Sequence, residues 1–435
     1  MHLRATRGGA IVRVRIVFGG SAMHSGLSSR AVFCILSTIA TSAPAALPEY
    51  LSFQLQARSG PVNNFNLPAG ASINNASVDL NDAGQVTLRV RVPTGMPGDN
   101  FTRHVFVGSN GAGFTVSEGP TTSTISDPRV DASGKVWFTA NLDGSGPLAG
   151  VYRYDPGNLT TVRITGLPNG TSFYTAPRGV SAGNVGYRVE AASGVAWVSF
   201  SAGNLVTLAA DRGVNLQSPY STLFVPSFAE NLQLVGKVTL FAGGFDQILS
   251  FDSSRAPVVL ARSRAEDIQS PYLAFDDAIA LSPTSGRVAF IADLNGGARG
   301  VYRVDAPGLI VQIARTGLQG LGTIDIFPPA VNDDGLVAFR GVDNTGKPAI
   351  YVGDDTTLRR VIGRGDAISS DLGAAQVNDV DAGAPVFSGG VAINSNGDIA
   401  FSPRLTPAAN TTIDWGTGVH IARAGSQLVF ANGFE

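Results

Sequence analysis

Residues 330–341 read AVNDDGLVAFRG: an apolar pair, a tight polar turn ending in glycine, then an apolar run that alternates with period two. Asn and Asp bond their own backbone in tight turns, and Gly takes the positive φ such turns need. Period-two alternation marks a strand. The segment therefore reads as two strands joined by a hairpin turn. The same phrase recurs at 78–90, 129–140, 232–242, 281–292 and 392–403, with a degenerate copy at 179–189. The turns fall at Gly84, Gly134, Asn184, Gly236, Gly286, Gly335 and Gly397, with spacings of 50, 50, 52, 50, 49 and 62 residues. Asn184 fits because Asn tolerates the left-handed backbone a Gly would supply.

Each copy continues with a third strand, such as GVYRYD (150–155), AWVSFSAG (196–203) or GVYRVD (300–305), and a fourth, such as LIVQIARTG (309–317). One such unit cannot bury both of its faces, but stacked units cover one another. Radial stacking leaves only short edges. The expected fold is all-β: a seven-bladed β-propeller of four-stranded antiparallel blades, one domain over residues 46–425. A parallel β-helix has shorter rungs, and a pair of β-sandwiches would break the repeat mid-chain. Residues 50–59, YLSFQLQARS, look like a stray fourth strand. Residues 50–57 are expected to complete the blade built from 385–423, leaving 426–435 as a tail.

Composition agrees. The 53 Gly in 435 residues argue against a mostly helical chain, since each interior Gly costs about 1 kcal/mol relative to Ala. Hydrophobic residues make up 44% and charged residues 15%, too apolar for disorder. One Cys excludes a disulfide framework and a multi-thiolate zinc site. Four His argue against a His-rich metal centre, and a net charge of −2 gives no reason to expect nucleic acid.

Residues 23–45, MHSGLSSRAVFCILSTIATSAPA, carry Arg30, an apolar run over 31–40 and an Ala43-Pro44-Ala45 cleavage pattern. This is the form of a secretory signal peptide. The run is shorter than the roughly 20 residues that span a bilayer. Residues 1–22 are either an extended basic leader or lie upstream of a true start at Met23. The rival reading of the whole segment is a buried N-terminal helix. Cys34 follows Phe33, unlike a lipoprotein cysteine. Residues 1–45 hold five of the 31 basic residues and none of the 33 acidic ones, so the exported chain is the more acidic part. The expected address is the extracellular space or cell surface, with the periplasm as alternative, and no transmembrane segment in the mature chain.

Asn332 to Phe339 carry the phrase N-x-x-G-x-V-A-F in full, and Asn394 to Phe401 carry it with Ile for Val. Over residues 50–423 the chain resembles bacterial secreted proteins with tandem N-x-x-G-x-x-A-F repeats, a group without an assigned activity. Ser181 and Gln233 depart from the motif. Ser282 to Phe290 also resemble the S-P-D-G repeats of TolB-type propellers, which bind protein partners in the periplasm. Both resemblances imply a propeller. The ending VFANGFE (429–435) resembles a short tail on exported proteins of some gamma-proteobacteria.

Signs of chemistry are sparse. The Asn/Asp turns could hold calcium or simply cap themselves, and none has the spacing of a twelve-residue calcium loop. The Asp box of sialidase propellers fails at Ala132. No phosphate loop or H-E-x-x-H occurs. Asp143, Asp293 and Asp343 occupy nearly equivalent loops between second and third strands, either as a ligand rim or as polar turns. Trp415, in an expansion of the last repeat, is the leading candidate for an exposed contact; Trp137 and Trp197 read as core. His104 and His420 open equivalent strands in blades that would be neighbours. No catalytic, cofactor or metal residue is nominated, and the candidate ligand contacts are Trp415, Asp143, Asp293 and Asp343. The function expected is a monomeric, non-catalytic secreted propeller whose loops bind a protein or glycan. The alternatives are a propeller-type hydrolase or lyase acting on extracellular polysaccharide, and a structural surface or biofilm component.

Overall fold

The computed structural model describes residues 47–425 apart from 76, 96–100, 117–124, 141–148, 167–170, 173–177, 181–183, 253–255 and 381–384. It is a seven-bladed β-propeller. With strands lettered a to d from the axis outward, blade 1 holds Asp79–Leu80, Gln85–Pro93, Phe101–Ser109 and Ala112–Thr115. Blade 2 holds Arg129–Val130, Val136–Ala140, Gly150–Asp155 and Thr160–Gly166; blade 3 holds Arg178–Val180, Asn184–Ala191, Gly194–Ser201 and Asn204–Ala210. Blade 4 holds Ser227–Phe228, Leu234–Leu240, Asp246–Phe251 and Pro257–Arg262; blade 5 holds Ala280–Leu281, Val288–Leu294, Arg299–Ala306 and Leu309–Arg315. Blade 6 holds Ala330–Val331, Val337–Asp343, Pro348–Gly353 and Leu358–Gly363; blade 7 holds Phe387–Ile393, Ile399–Pro407, Gly416–Gly425 and Glu49–Ser59. That last strand comes from the other end of the chain. It pairs antiparallel with Gly416–Gly425 from Glu49↔Gly425 to Ser59↔Thr417, the closure expected from its sequence. The expected tail, 426–435, lies outside the described residues.

The core sits between blades rather than within them. Successive side chains of a strand point to opposite faces. Phe138 therefore packs with Val105 and Val107 of blade 1, while its neighbour Trp137 packs with Val185 and Tyr187 of blade 3. A cluster of this kind fills each of the seven interfaces, including blade 7 against blade 1, where Ala400 and Ile421 meet Val86 and Leu88. Trp137 and Trp197 are fully buried, as expected.

Five of the seven expected turn residues take positive φ: Gly84, Gly134, Gly286, Gly335 and Gly397. Two do not stand where the spacing put them. In blade 4 the left-handed residue is Leu232, and Gly236 lies inside strand b. Its role is packing: a Cβ there would come within 2.5 Å of the Trp197 ring of blade 3. In blade 3 Asn184 is not a turn residue: it opens strand b, paired with Val180.

In three blades the inner strand is interrupted. In blades 4, 5 and 6 an extra piece, Tyr220–Leu223, Tyr272–Phe275 or Leu321–Ile324, pairs with strand b ahead of the named strand a. The linking residues, such as Asp276 and Asp277 or Asp325 to Pro329, lie outside the ladder.

Candidate functional site

Strand direction sorts the connections onto two faces. The a–b and c–d turns share one face, called lower here. The b–c loops and the d–a connections share the upper face. On the lower face the motif asparagines serve twice. Asn332 Oδ1 accepts the Leu336 N–H at 2.8 Å, closing its own turn, while Nδ2 donates to the Asn394 carbonyl of the next blade at 3.0 Å. Asn394 closes on Asp398 N–H and donates to the Asn81 carbonyl at 3.0 Å. Asn81 closes on Gln85 N–H and donates to the Asp131 carbonyl at 3.1 Å. The relay runs through blades 6, 7, 1 and 2, across the ring closure. The next turn position grips backwards: Asp333 accepts the Thr284 and Ser285 N–H groups, and Asp82 accepts that of Ser395. These side chains bond protein, as turn caps and straps between blades.

A second set of straps lines the channel. The residue after Phe in the motif is basic in blade 6, Arg340, and Arg89, Arg188 and Lys237 hold the matching place in blades 1, 3 and 4. Arg89 reaches the Ile125 carbonyl and Asp127 of blade 2; Lys237 reaches the Phe275 carbonyl and Asp277 of blade 5. Arg340 pairs with Asp325 at 2.7 Å and bonds the Gly389 carbonyl of blade 7. Arg299 holds Asp276 at 2.6 Å, and Arg404 holds Asp379 at 3.1 Å. Burial pushes the Asp276 carboxyl above the usual range despite Arg299, and burial pulls Arg340 down against Asp325. The interrupted inner strands thus carry carboxylates that meet cations of strands b and c. Further down, Val225, Pro226, Pro328, Pro329 and Val391 line a throat of about 130 Å³. That is below the roughly 300 Å³ at which small-molecule sites begin. Among the described residues, no three His, Cys, Asp or Glu are grouped to hold a metal ion.

The nominated loop residues are separate. Asp293 pairs with Arg299 at 2.8 Å. Asp343 accepts the Thr345 hydroxyl and the Thr345 and Lys347 N–H groups, and the Thr345 hydroxyl holds its carboxyl below the usual range. Trp415 is half-buried against the blade 7 core, and its carbonyl accepts from Arg58. Asp143 lies outside the described residues. The two histidines are engaged apart: His104 bonds Thr102 and Val116, and fully buried His420 bonds the Ser369 carbonyl at 2.9 Å.

The upper face holds a feature that the repeat phrase did not reveal. The d–a connections 211–220 and 263–272 share several bonds. Ser218 and Ser270 each cap back to strand d, at Ala210 O and Arg262 O, and Arg212 and Arg264 N–H bond Tyr220 O and Tyr272 O. At the same point each connection presents an aliphatic side chain to solvent: Leu216 is 72% exposed and Ile268 66%. The next connection, four residues shorter, presents Leu318 at 49%. Phe241 joins them, its N–H bonded to Pro219 O and its ring beneath Arg212 at 3.8 Å. The signal was legible as the string QSPY at 217–220 and again at 269–272.

Comparison with known proteins supports the fold. A family of unknown function (DUF7453) matches residues 263–433. An oligogalacturonate lyase in complex with manganese is 10% identical with a TM-score of 0.50, over 88% of this chain and 99% of that one. An oligogalacturonate lyase from Vibrio parahaemolyticus is 10% identical with a TM-score of 0.51, over the same shares. The β-propeller domain of the Trilobed protease from Pyrococcus furiosus is 10% identical with a TM-score of 0.44, over 77% of this chain and 93% of that one. No curated protein matches the sequence.

Proposed function

We propose that this chain is a non-catalytic propeller, exported by residues 1–45, that binds a protein through the upper face of blades 4–6. One observation carries the reading: three successive d–a connections present Leu216, Ile268 and Leu318 to water, the first two at the same position of matching connections. Scattered exposed apolar residues need no explanation, but clustered ones mark interaction sites. Aliphatic side chains here supply the apolar core of a protein interface, and the charged groups around them form its polar rim. The channel acids favour binding over catalysis, since Asp127, Asp276, Asp277, Asp325 and Asp379 each lie beside an Arg or Lys. No helix among the described residues is long and apolar enough to cross a membrane.

The test uses residues 46–435 with a photo-crosslinking residue at position 318, in extracts of the source cells. A single protein should crosslink, and Leu216→Asp with Ile268→Asp should abolish its capture while leaving the melting temperature unchanged. Capture that survives the double variant, or turnover of a polyuronate by the purified chain, would overturn the proposal.

A further inference from the structure

The string QSPY marks two of the d–a connections, but a longer order recurs in three. Arg212 precedes Leu216-Gln217, Arg264 precedes Ile268-Gln269, and Arg315 precedes Leu318-Gln319 with one residue fewer between them. Each of these aliphatic side chains and each Gln is exposed. Local bonds hold them in place. Gln217 N–H donates to Asn215 Oδ1 at 3.1 Å, Gln269 N–H to Asp267 Oδ1 at 3.0 Å, and Leu318 N–H to the Arg315 carbonyl at 3.1 Å.

The three cations lack carboxylate partners among the described residues. Arg212 lies over the Phe241 ring, and Arg264 gives Nη1 to the Ser270 carbonyl at 3.2 Å. The Arg315 side chain makes no hydrogen bond or ion pair among the described residues. No guanidinium nitrogen of the three is buried without a bond, so their remaining N–H groups face solvent. The acids of the same connections are engaged. Asp211 accepts the Val195, Gly213 and Val214 N–H groups, Glu266 accepts from Arg262 and Gln247, and Asp267 caps Gln269.

A surface that offers the same three groups three times fits a ligand that repeats its own chemistry. An exposed aliphatic side chain gains by covering another apolar one. A guanidinium fork matches a carboxylate. A carboxamide both donates and accepts, as an extended peptide backbone requires. We propose that the connections of blades 4, 5 and 6 together receive one extended segment of the protein partner in which acidic and aliphatic side chains alternate. This rests on the reading of the upper face as a protein-binding surface. Each blade adds a contact to a segment already held by its neighbour, which raises affinity without a deep pocket. An anionic bilayer fits less well, because residues 46–435 are acidic overall and their field opposes its approach.

Fluorescence anisotropy of a labelled peptide of alternating Glu and Leu with residues 46–435 tests this. The peptide should bind, and binding should fall as salt shortens the Debye length. A peptide with Lys in place of Glu should not bind. Arg212→Gln, Arg264→Gln and Arg315→Gln together should weaken binding by about tenfold or more, the loss of charge-assisted hydrogen bonds. Arg315→Gln alone should give an intermediate affinity with the melting temperature unchanged. Equal binding by wild type and triple variant would overturn the inference. So would equal binding of the Lys peptide, or tighter binding of phosphatidylglycerol vesicles than of the Glu-Leu peptide. Crosslinking at position 318 reads the parent proposal separately. If a protein is still captured while the Glu-Leu peptide fails to bind, only the acidic–aliphatic segment falls.

Discussion

Arg58, in the strand Glu49–Ser59, is gripped by Asp371, 313 residues later. Nε meets Oδ1 at 2.7 Å and Nη2 meets Oδ2 at 2.9 Å, while Nη1 donates to the Trp415 carbonyl at 2.9 Å. The Arg58 side chain is fully buried. It locks the N-terminal strand into blade 7 beneath the hairpin Ala367–Ser370/Gly373–Val377. Burial would raise the Asp371 carboxyl, but the bonds from Arg58 outweigh this and hold it below the usual range. Its contribution is therefore full above the ordinary carboxylate range and is lost as pH falls through the depressed value. Asp371→Ala leaves a buried guanidinium with its best partner gone, and should cost about 3–5 kcal/mol in urea unfolding. A loss well under 1 kcal/mol would show that the closure is held elsewhere.

His420 sets a second pH window. Burial pushes its imidazole down from 6.5 to about 4, so the folded chain holds it neutral. The unfolded chain takes up a proton near pH 6.5, and the folded one does so only near 4. Stability should fall as pH drops through that interval, by up to about 3 kcal/mol from this group. His420→Gln keeps a donor for the Ser369 carbonyl and should flatten the pH dependence between about pH 7 and pH 5. An unchanged slope in calorimetry would remove His420 from the account.

Asn332 separates the two roles of the motif asparagine. Asn332→Asp retains the oxygen that caps the turn but replaces the donor to the Asn394 carbonyl with a second acceptor. At this fully buried position the change should cost about 1–3 kcal/mol. Asn332→Ala removes both bonds. If Asn332→Asp proves neutral by denaturant midpoint, the relay between blades contributes nothing and the motif is a turn signal only.

Gly236 tests the interface between blades 3 and 4. Gly236→Ala drives a methyl into the Trp197 ring and should destabilise by about 1–3 kcal/mol. Combining it with Trp197→Phe, which withdraws the contacting ring atoms, should recover part of that loss in thermal melts. Simple additivity of the two changes would mean that the contact is not the cause.

The fold was legible because a propeller repeats one short-range pattern, and hairpin turns and period-two strands are local properties. The hairpin at 330–341 carries both in twelve residues. Even closure could be read, since residues 50–59 resemble a fourth strand without a blade. The blade 4 turn was misplaced because spacing alone cannot distinguish a glycine needed for φ from one needed for space. Gly236 is of the second kind, and Trp197, which demands it, lies on another blade. The asparagine motif shows the same division. Its turn-capping oxygen acts within five residues, whereas its amide acts on the neighbouring blade.

By itself, then, the sequence determined the all-β class, the number of blades and the terminal strand that closes the ring. Tertiary structure alone decided which polar side chains are consumed in holding blades together and which side chains are left exposed. Asp293 and Asp343 look like a shared rim in the sequence, yet each is bound within its own loop. Arg212 and Arg315 are two whole repeats apart in the chain, and only the ring sets them on one face. Local pattern fixes strands and turns through short-range bonds, but a site depends on distances between residues that the chain does not keep close.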